Sequence, residues 1–330
     1  MASTLKDVAG LAGVSVKTVS NVVNGYPHVS ADVRHRVEAA IAQLRYRPNA
    51  FARTLRTGRT GVLALVLPDA DLPYADDLAR EVVHAAGRRG YRVVIEHERA
   101  SPGPDEGRSM PVDGVLVGAP GDLAQTLTAA GRPVVLVGGA AHDLRCDQIR
   151  VDVAGAAEDA TAHLLRTGRR RIAAIGAYPP GSAGVPQPGT AGYHRALRAA
   201  GLTPVPTHPL PGRHHRRADG YHAAREVFAG PDRPDGIFCF SDPLAIGAMR
   251  AAFDAGLRVP VDVAVIGVGD IEEGRYSRPT LSTVAVDTGF LAREAVARLA
   301  ARIGEPDAAT AEIVAPHTVL PRENTGVPTR

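Results

Sequence analysis

The sequence of 330 residues has no tryptophan, only three methionines and two cysteines, and an aromatic content of 4%. The cysteines, Cys146 and Cys239, are too few for a disulfide framework. Glycine, proline or a charge interrupts every apolar run before it reaches the roughly 18 residues of a membrane span. No basic segment followed by an apolar stretch opens the chain, as a signal peptide would. These absences predict a soluble, cytoplasmic protein without a membrane partner.

Signatures of common catalytic and cofactor sites are also missing. There is no Gly-x-Ser-x-Gly elbow, no Walker A loop and no cysteine pair at zinc spacing. The run Gly267-Val268-Gly269 lacks the third glycine of a dinucleotide-binding loop. The adjacent His214 and His215 lie beside two arginines that would repel a cation, so a solvated loop is favoured over a metal site. We predict no catalytic residues, no metal and no cofactor.

What the sequence does have is a basic amino-terminal segment. The first sixty residues contain nine lysines and arginines against three acidic residues, whereas the whole chain has a net charge of only +3. The remainder of the chain is therefore mildly acidic. The length is sufficient for at least two domains. This asymmetry predicts that only the amino-terminal part binds a polyanion.

Apolar spacing predicts three helices in this basic segment. The first covers Leu5 to Ala12 and ends at Gly13. Ser15 is placed to cap a second helix, whose buried stripe consists of Val19, Val22 and Val23. A third helix from about Ala31 to Arg45 closes the core. Two short helices joined by a tight turn are typical of a helix-turn-helix, although a simple helical hairpin has the same spacing.

The segment also resembles the LacI/GalR repressor family in its residues. The matching runs are Thr4-Leu5-Lys6-Asp7-Val8-Ala9, Ala12-Gly13-Val14-Ser15, Thr18-Val19-Ser20, Asn24-Gly25 and Tyr46-Arg47-Pro48-Asn49. The resemblance implies a helix-turn-helix DNA-binding domain over residues 1–47 and a hinge helix with its linker over 48–60. An effector-binding and dimerisation domain is then expected over 61–330.

The resemblance also implies which residues bind DNA. The second helix of the family lies in the major groove, which places Val16, Lys17 and Asn21 at the base edges. Lys17 then donates to guanine, Asn21 pairs with adenine and Val16 packs on a thymine methyl. Short polar side chains suited to phosphate contacts are those of Ser15, Thr18, Ser20 and Asn24. Thr4, placed to cap the first helix, completes this set in the headpiece.

The segment after Pro48 is long enough for about two turns of helix, too few to persist alone in water. It resembles the family's hinge helix, which folds when two copies meet on DNA and insert a leucine into the minor groove. The matching residues are Asn49, Ala52, Arg53 and Leu55. The alternative is an ordinary interdomain linker. Two hinge helices imply a homodimer, or a tetramer, on pseudo-palindromic double-stranded operator DNA.

From Gly61 onward, short apolar strands alternate with helical stretches, which predicts an α/β fold with parallel sheets. The resemblance extends here to two Rossmann-like lobes of the type I periplasmic binding proteins, with the ligand between them. Lobe 1 is expected over about 61–165 and 288–318, and lobe 2 over about 166–287 and 319–330. The candidate effector-binding residues are Asp69, Tyr74, Asp152, Tyr193, Asp242 and Asp270. For each aspartate, a helix cap is the alternative.

Three departures from the family pattern bear on the ligand. Gly189 stands where relatives have a ligand-clamping arginine, and Gly269 stands where they have the first of two carboxylates. The stretch 101–110 is short and rich in proline and glycine where relatives have a helix. We predict a transcription regulator, a repressor, controlled by a sugar or related metabolite, by an atypical effector, or by none. A periplasmic binding receptor and a sugar-processing enzyme are the competing classes.

Overall fold

The computed structural model describes residues 3–23, 26, 28–46, 59–67, 74–97, 111–118, 122–139, 141, 144–177, 188–203, 208–210 and 215–326. They form two compact units. The head comprises Met1–Gly61 with Pro111–Asp113, and the body comprises Val62–Met110 with Gly114–Arg330.

The head contains the three predicted helices, α1 (Leu5–Ala12), α2 (Val16–Val23) and α3 (Ala31–Gln43). Thr4 and Asp7 cap the start of α1 reciprocally, and Gly13 ends it with a φ of 65° in the left-handed region. The core consists of small buried side chains from all three helices: Val8, Ala9, Ala12, Val19, Val22, Val37 and Ala40. The predicted bounds of α1 and the start of α2 after Ser15 are thus confirmed, and α3 ends at Gln43 rather than Arg45.

The body contains two six-stranded sheets. The first has the order β11-β5-β4-β3-β1-β2 and is parallel throughout. Its strands are β1 (Val62–Leu67), β2 (Arg92–His97), β3 (Gly114–Val117), β4 (Val134–Gly138), β5 (Asp147–Val151) and β11 (Glu312–Ala315). Its helices are α4 (Ala75–Arg88), α5 (Asp122–Ala129) and α11 (Thr288–Gly304).

The second sheet has the order β12-β10-β9-β8-β6-β7, and only β12 is antiparallel to its neighbour. Its strands are β6 (Ile172–Ala177), β7 (His208–Pro209), β8 (Gly236–Cys239), β9 (Ala264–Val268), β10 (Ser282–Val286) and β12 (His317–Leu320). Its helices are α6 (Val153–Arg166), α7 (Pro188–Ala199), α8 (Arg217–Ala229), α9 (Asp242–Asp254) and α10 (Glu272–Tyr276). The predicted pair of parallel-sheet lobes is confirmed.

In the described residues, the chain passes from one sheet to the other at Asp152, Asp287 and Pro316. The Asp287 amide donates to the Pro316 carbonyl at 3.1 Å, so two of these crossovers lie side by side. The first crossover, at Asp152, lies one helix before the boundary expected near residue 165, and the third, at Pro316, lies close to the one expected near 318. Helix α6 belongs to the second lobe, because its alanine-rich face packs on α7, β9 and β12.

Helices α8 and α9 approach each other unusually closely. A Cβ atom on Gly247 of α9 would lie 1.9 Å from the Arg217 carbonyl oxygen, and one on Gly220 of α8 would lie 2.2 Å from that of Leu244. Only hydrogen atoms fit at these two positions. The contact fixes the place of α9, whose first residue is Asp242.

The carboxyl-terminal segment is bound into the second lobe through buried polar groups. The Asn324 side chain accepts from the Ser282 amide at 2.7 Å and donates to the Val265 carbonyl at 2.7 Å. Thr325 Oγ1 lies 2.8 Å from His163 Nε2 and 2.7 Å from Ser282 Oγ. Both Asn324 and Thr325 are buried, so this segment is part of the lobe's core. Among the helices of the described ranges, none has the length and apolar content to traverse a bilayer.

Candidate DNA-binding face and ligand-binding edge

Helix α2 has one buried side and one open side. Val19 and Val22 lie in the head core, whereas Val16 is 41% exposed and Lys17 is exposed beside it. Asn21 lies one turn beyond Lys17 and is half-buried. The structure thus brings the three predicted base-reading residues to one accessible face of a helix held from behind.

The predicted phosphate-contacting residues in the head serve partly as helix caps. Ser15 Oγ accepts from the Thr18 amide at 3.1 Å and lies 2.8 Å from Thr18 Oγ1. Thr4 Oγ1 donates to Asp7 Oδ2 at 2.8 Å. Ser20 is half-buried on α2. The remaining predictions for DNA and ligand contacts, Asn24, Asn49, Ala52, Arg53, Leu55 and Asp69, lie outside the described residues.

At the carboxyl end of the second sheet, the structure brings Asp242 and Asp270 together through Thr283. Asp242 is fully buried at the start of α9. Its Oδ1 accepts from Thr283 Oγ1 at 2.7 Å, and its Oδ2 accepts from the Ile271 amide at 3.0 Å. Thr283 Oγ1 in turn accepts from the Asp270 amide at 3.2 Å. Burial raises the pKa of Asp242 to about 6, and these hydrogen bonds oppose the rise.

Asp270 is held by two arginines that its sequence neighbourhood did not predict as partners. Arg275 pairs with it at 2.6 Å, and Arg322 also forms an ion pair with it. Asp270 has a φ of 55°, in the left-handed region, which is costly for a residue other than glycine. The two ion pairs and the Thr283 hydrogen bond offset that cost. Arg322 lies 52 residues from Asp270, and no local sequence signal links them.

The structure shows where the two predicted tyrosines lie. Tyr193 has no exposed surface, its hydroxyl donates to the Ile172 carbonyl at 2.7 Å, and its ring lies against Phe238. Tyr74 is also buried, close to Gly138, and burial raises its pKa. The core of the second lobe takes up the Tyr193 ring, so the structure argues against the predicted ligand contact there. The Tyr74 ring packs on the core of the first lobe.

Asp152 acts as a helix cap, the alternative left open by the sequence. Its Oδ1 accepts from the Gly155 amide at 2.9 Å at the start of α6. The carboxylate also lies at the first crossover between the sheets. Asp152 therefore fixes where α6 begins.

Gly189 lies in the first turn of α7, and an aromatic ring occupies the space beside it. A Cβ atom at this position would lie 2.6 Å from Phe240 Cε1 and 3.5 Å from Val153 Cγ1. Phe240 follows β8 directly and is half-buried. The glycine was evident from the sequence but its aromatic neighbour was not, although the alternation Phe238-Cys239-Phe240 was an available signal.

The ionisation of Asp242 leads to a pH-dependent prediction. The folded-state pKa is raised above that of the unfolded chain, so this residue favours the folded state at low pH and loses that contribution as pH rises through about 6. Relative to Asp242→Asn, the wild-type free energy of unfolding should fall by about 1 kcal/mol between about pH 5 and about pH 7. Urea denaturation at both pH values measures this difference.

Asp262→Asn is the matched control for this experiment. Hydrogen bonds from Arg258 lower the pKa of Asp262 to about 2, so its charge is constant across this interval. The difference in the free energy of unfolding between Asp262→Asn and the wild type should not depend on pH. A pH-independent difference for Asp242→Asn as well would show that the buried carboxyl does not titrate as described.

Comparison with known proteins gives matches over most of the chain. Residues 4–49 match the family model described as bacterial regulatory proteins, lacI family, and residues 161–325 match the periplasmic binding protein-like domain. The ribose operon repressor of Escherichia coli (strain K12) is 31% identical, covering 92% of this chain and 94% of the repressor. The regulator CelR of Thermobifida fusca is 35% identical, covering 91% and 92%.

Solved structures also match almost the whole length of the chain. The complex of the transcriptional regulator CelR with cellobiose is 30% identical, with a TM-score of 0.69 over 98% of this chain and 99% of that one. The Lac repressor dimer bound to operator and the anti-inducer ONPF is 26% identical, with a TM-score of 0.82 over 98% and 99%. Both the head and the two lobes thus have counterparts in proteins whose names state regulation of transcription.

Proposed function

This chain belongs to the lacI family of bacterial regulatory proteins and is a DNA-binding transcriptional regulator; we propose that it represses transcription as a homodimer on a pseudo-palindromic operator. The observation that carries the proposal is the open face of α2, where Val16, Lys17 and Asn21 stand on a helix fixed by the head core. Two heads in a dimer read two half-sites. The Lac repressor, similar over almost the whole chain, is a dimer on operator DNA.

We further propose that a small molecule binds at the carboxyl ends of the strands, between the lobes, and changes the affinity of the heads for DNA. In open parallel sheets this edge is the usual ligand site. Asp270 and Asp242 stand there, joined through Thr283. The structure of the related regulator CelR has been solved as a complex with cellobiose. Catalysis forms no part of this proposal, and the protein acts in the cytoplasm, where the bacterial operator lies.

Domain boundaries and contacts outside the described residues remain part of the same proposal. The head ends near residue 47, and residues 48–60 form the hinge between head and body. Within the hinge, Leu55 enters the minor groove, Ala52 permits close approach, and Arg53 reaches the phosphates or the groove floor. Asn49 also contacts the DNA. Asn24 contacts phosphate and Asp69 faces the ligand.

Selection of bound sequences from a random DNA pool tests the function directly. We expect a pseudo-palindromic site to be enriched, and added cell metabolites to change its retention. Enrichment of no sequence at all, with the folded protein, would overturn the proposal. Enrichment of a single half-site would contradict the dimer.

Lys17 is expected to determine one base pair in each half-site. Lys17→Ala should weaken binding to the selected operator by about 1 to 3 kcal/mol per bidentate contact and relax the preference at that position. Repeating the sequence selection with the variant measures the preference, and gel-shift titration measures the affinity.

Arg36→Ala is a matched control for Lys17→Ala. It removes the same charge from the same head, but Arg36 lies on α3, where it pairs with Asp32 at 3.4 Å. We expect its binding preference to equal that of the wild type. The reading of DNA by Lys17 would be refuted if both variants, or neither, changed the selected sequence.

A further inference from the structure

One carboxylate holds the chain at the point where the proposed hinge ends. Asp113 Oδ1 accepts from the Thr60 amide at 2.6 Å and from Thr60 Oγ1 at 2.8 Å, and its Oδ2 accepts from the Gly61 amide at 2.9 Å. Both carboxylate oxygens are therefore used by two successive residues. Gly61 has a φ of 70°, a conformation that glycine favours. We call Asp113, Thr60 and Gly61 the hinge clasp.

The hinge clasp directly precedes two neighbouring strands of the first sheet. Strand β1 follows Gly61, and strand β3 follows Asp113. The two strands pair in parallel, with Leu63 opposite Gly114. A covalent link alone leaves two rotatable backbone angles in each residue, and the hydrogen bonds to Asp113 restrict those of Thr60 and Gly61. The carboxylate thus ties the end of the hinge to a second strand besides the one that it enters.

The second lobe has the same arrangement without a head attached to it. Asp235 directly precedes β8, and its Oδ1 accepts from the amides of Arg170 and Arg171 at 3.0 Å and 2.9 Å, directly before β6. Strands β6 and β8 pair in parallel, with Ile172 opposite Gly236. Holding the starts of two neighbouring strands together is therefore the common role of both carboxylates. Of the two, Asp113 also holds the segment that leads to the DNA-binding helices.

We infer that Asp113 is a positioning residue for operator binding, which fixes the direction in which residues 48–60 leave the body. The inference rests on the proposed function and identifies the side chain through which the body holds the hinge. A dimer reads two half-sites at a fixed separation only when both hinges leave in a defined direction. A head on a loosely held segment still binds DNA, but it loses more conformational entropy when both half-sites are engaged.

The test compares Asp113→Ala with the wild type on the selected operator and on versions whose half-sites lie one base pair closer together or further apart. We expect the Kd for the selected operator to rise about tenfold. The preference for its spacing should be relaxed, because the hinges take up more directions. The Kd for unrelated DNA of equal length should stay unchanged, since nonspecific binding depends on the charge of the head. Gel-shift titration measures all of these affinities.

Asp235→Ala is the matched control, because it removes the same carboxylate from the equivalent place in the second lobe. Both variants lose hydrogen bonds to backbone amides, so the thermal transition of each should be lowered. The DNA affinities and the spacing preference of Asp235→Ala should nevertheless equal those of the wild type. An equal change of spacing preference in both variants, or a change in neither, overturns the inference.

Two milder variants keep the inference testable if Asp113→Ala fails to fold. Thr60→Val removes the hydroxyl donor but keeps a β-branched side chain, and Asp113→Asn keeps one acceptor oxygen. Both should relax the spacing preference less than Asp113→Ala does, with thermal transitions closer to that of the wild type. If both are stable and retain the full spacing preference, Asp113 does not position the hinge.

Operator selection with the wild-type protein separates this inference from the proposed function. If the wild type selects no operator, the regulator proposal fails and the inference fails with it. If it selects two half-sites at a fixed spacing and Asp113→Ala retains the same preference, the proposed function stands and only the role of the hinge clasp is wrong.

Discussion

Val19→Asp should abolish operator binding while leaving the body folded. Val19 has no exposed surface and lies among the seven small side chains that form the head core. Burial of an unpaired carboxylate costs several kcal/mol, which is comparable with the whole stability of so small a unit. Without a folded head, α2 cannot hold its base-reading side chains in place. We expect the Kd for operator to rise at least about a hundredfold.

Gel-shift titration measures the loss, and circular dichroism of the same protein checks that the body keeps its secondary structure. Ala42→Asp is the matched control, because it adds the same charge at an exposed position on α3. Its Kd should change by a few-fold at most. If the two variants lose equal affinity, repulsion of DNA rather than collapse of the core accounts for the effect.

Gly247→Ala is expected to destabilise the second lobe strongly. The added Cβ would lie 1.9 Å from the Arg217 carbonyl oxygen and 2.7 Å from the Tyr221 amide nitrogen. Both are backbone atoms of α8, so the whole helix must move away. We expect a loss of about 3 kcal/mol or more in the free energy of unfolding, as for a strongly overpacked core.

Thermal or urea denaturation measures this loss, and Gly87→Ala supplies the opposite control. Gly87 lies within α4, and a Cβ atom there meets nothing within 4 Å. Alanine is the better helix former, so this variant should gain up to about 1 kcal/mol. Equal behaviour of the two variants would show that the α8 contact is looser than described. Displacement of α9 should also disturb Asp242, its first residue.

The head could be predicted almost completely from the sequence because its determinants are local. Thr4 and Asp7 cap α1 from three residues apart, and Gly13 ends the helix with a backbone conformation that glycine favours. Apolar residues at helical spacing then specify which side of each helix is buried. Three helices that are adjacent in sequence can pack into a common core in only a few ways.

The assignment of α6 to a lobe was not predictable in the same way. Its sequence shows which face is apolar but not which of two sheets covers that face. The choice depends on contacts with β12, more than 150 residues later, including the pair formed by His317 and Asp159 at 3.0 Å. The predicted boundary near residue 165 therefore lay one helix too late.

At the ligand-binding edge too, local features were predictable from the sequence and long-range contacts were not. Asp242 and Asp270 were identified because they follow apolar strands, which is a local signal. Their environment depends on distant partners: Thr283 for Asp242, and Arg322 for Asp270. The burial of Tyr193 was not predictable because its hydroxyl partner, the Ile172 carbonyl, lies on a strand 21 residues earlier. Sequence patterns indicate which polar side chains lie near the edge of a sheet, and tertiary contacts determine which of them are free to bind a ligand.

The crossovers at Asp287 and Pro316 affect the order in which parts of the protein can fold during its synthesis. The seven buried side chains of the head core lie between residues 8 and 40, so the DNA-reading unit can fold before the body has been synthesised. Each sheet, by contrast, takes its last strand from residues 312–320, and the second lobe also needs Asn324 and Thr325. Neither lobe is complete until residues 312–325 have been synthesised. A nascent or prematurely terminated chain thus presents a folded head before it has a sensor to control it.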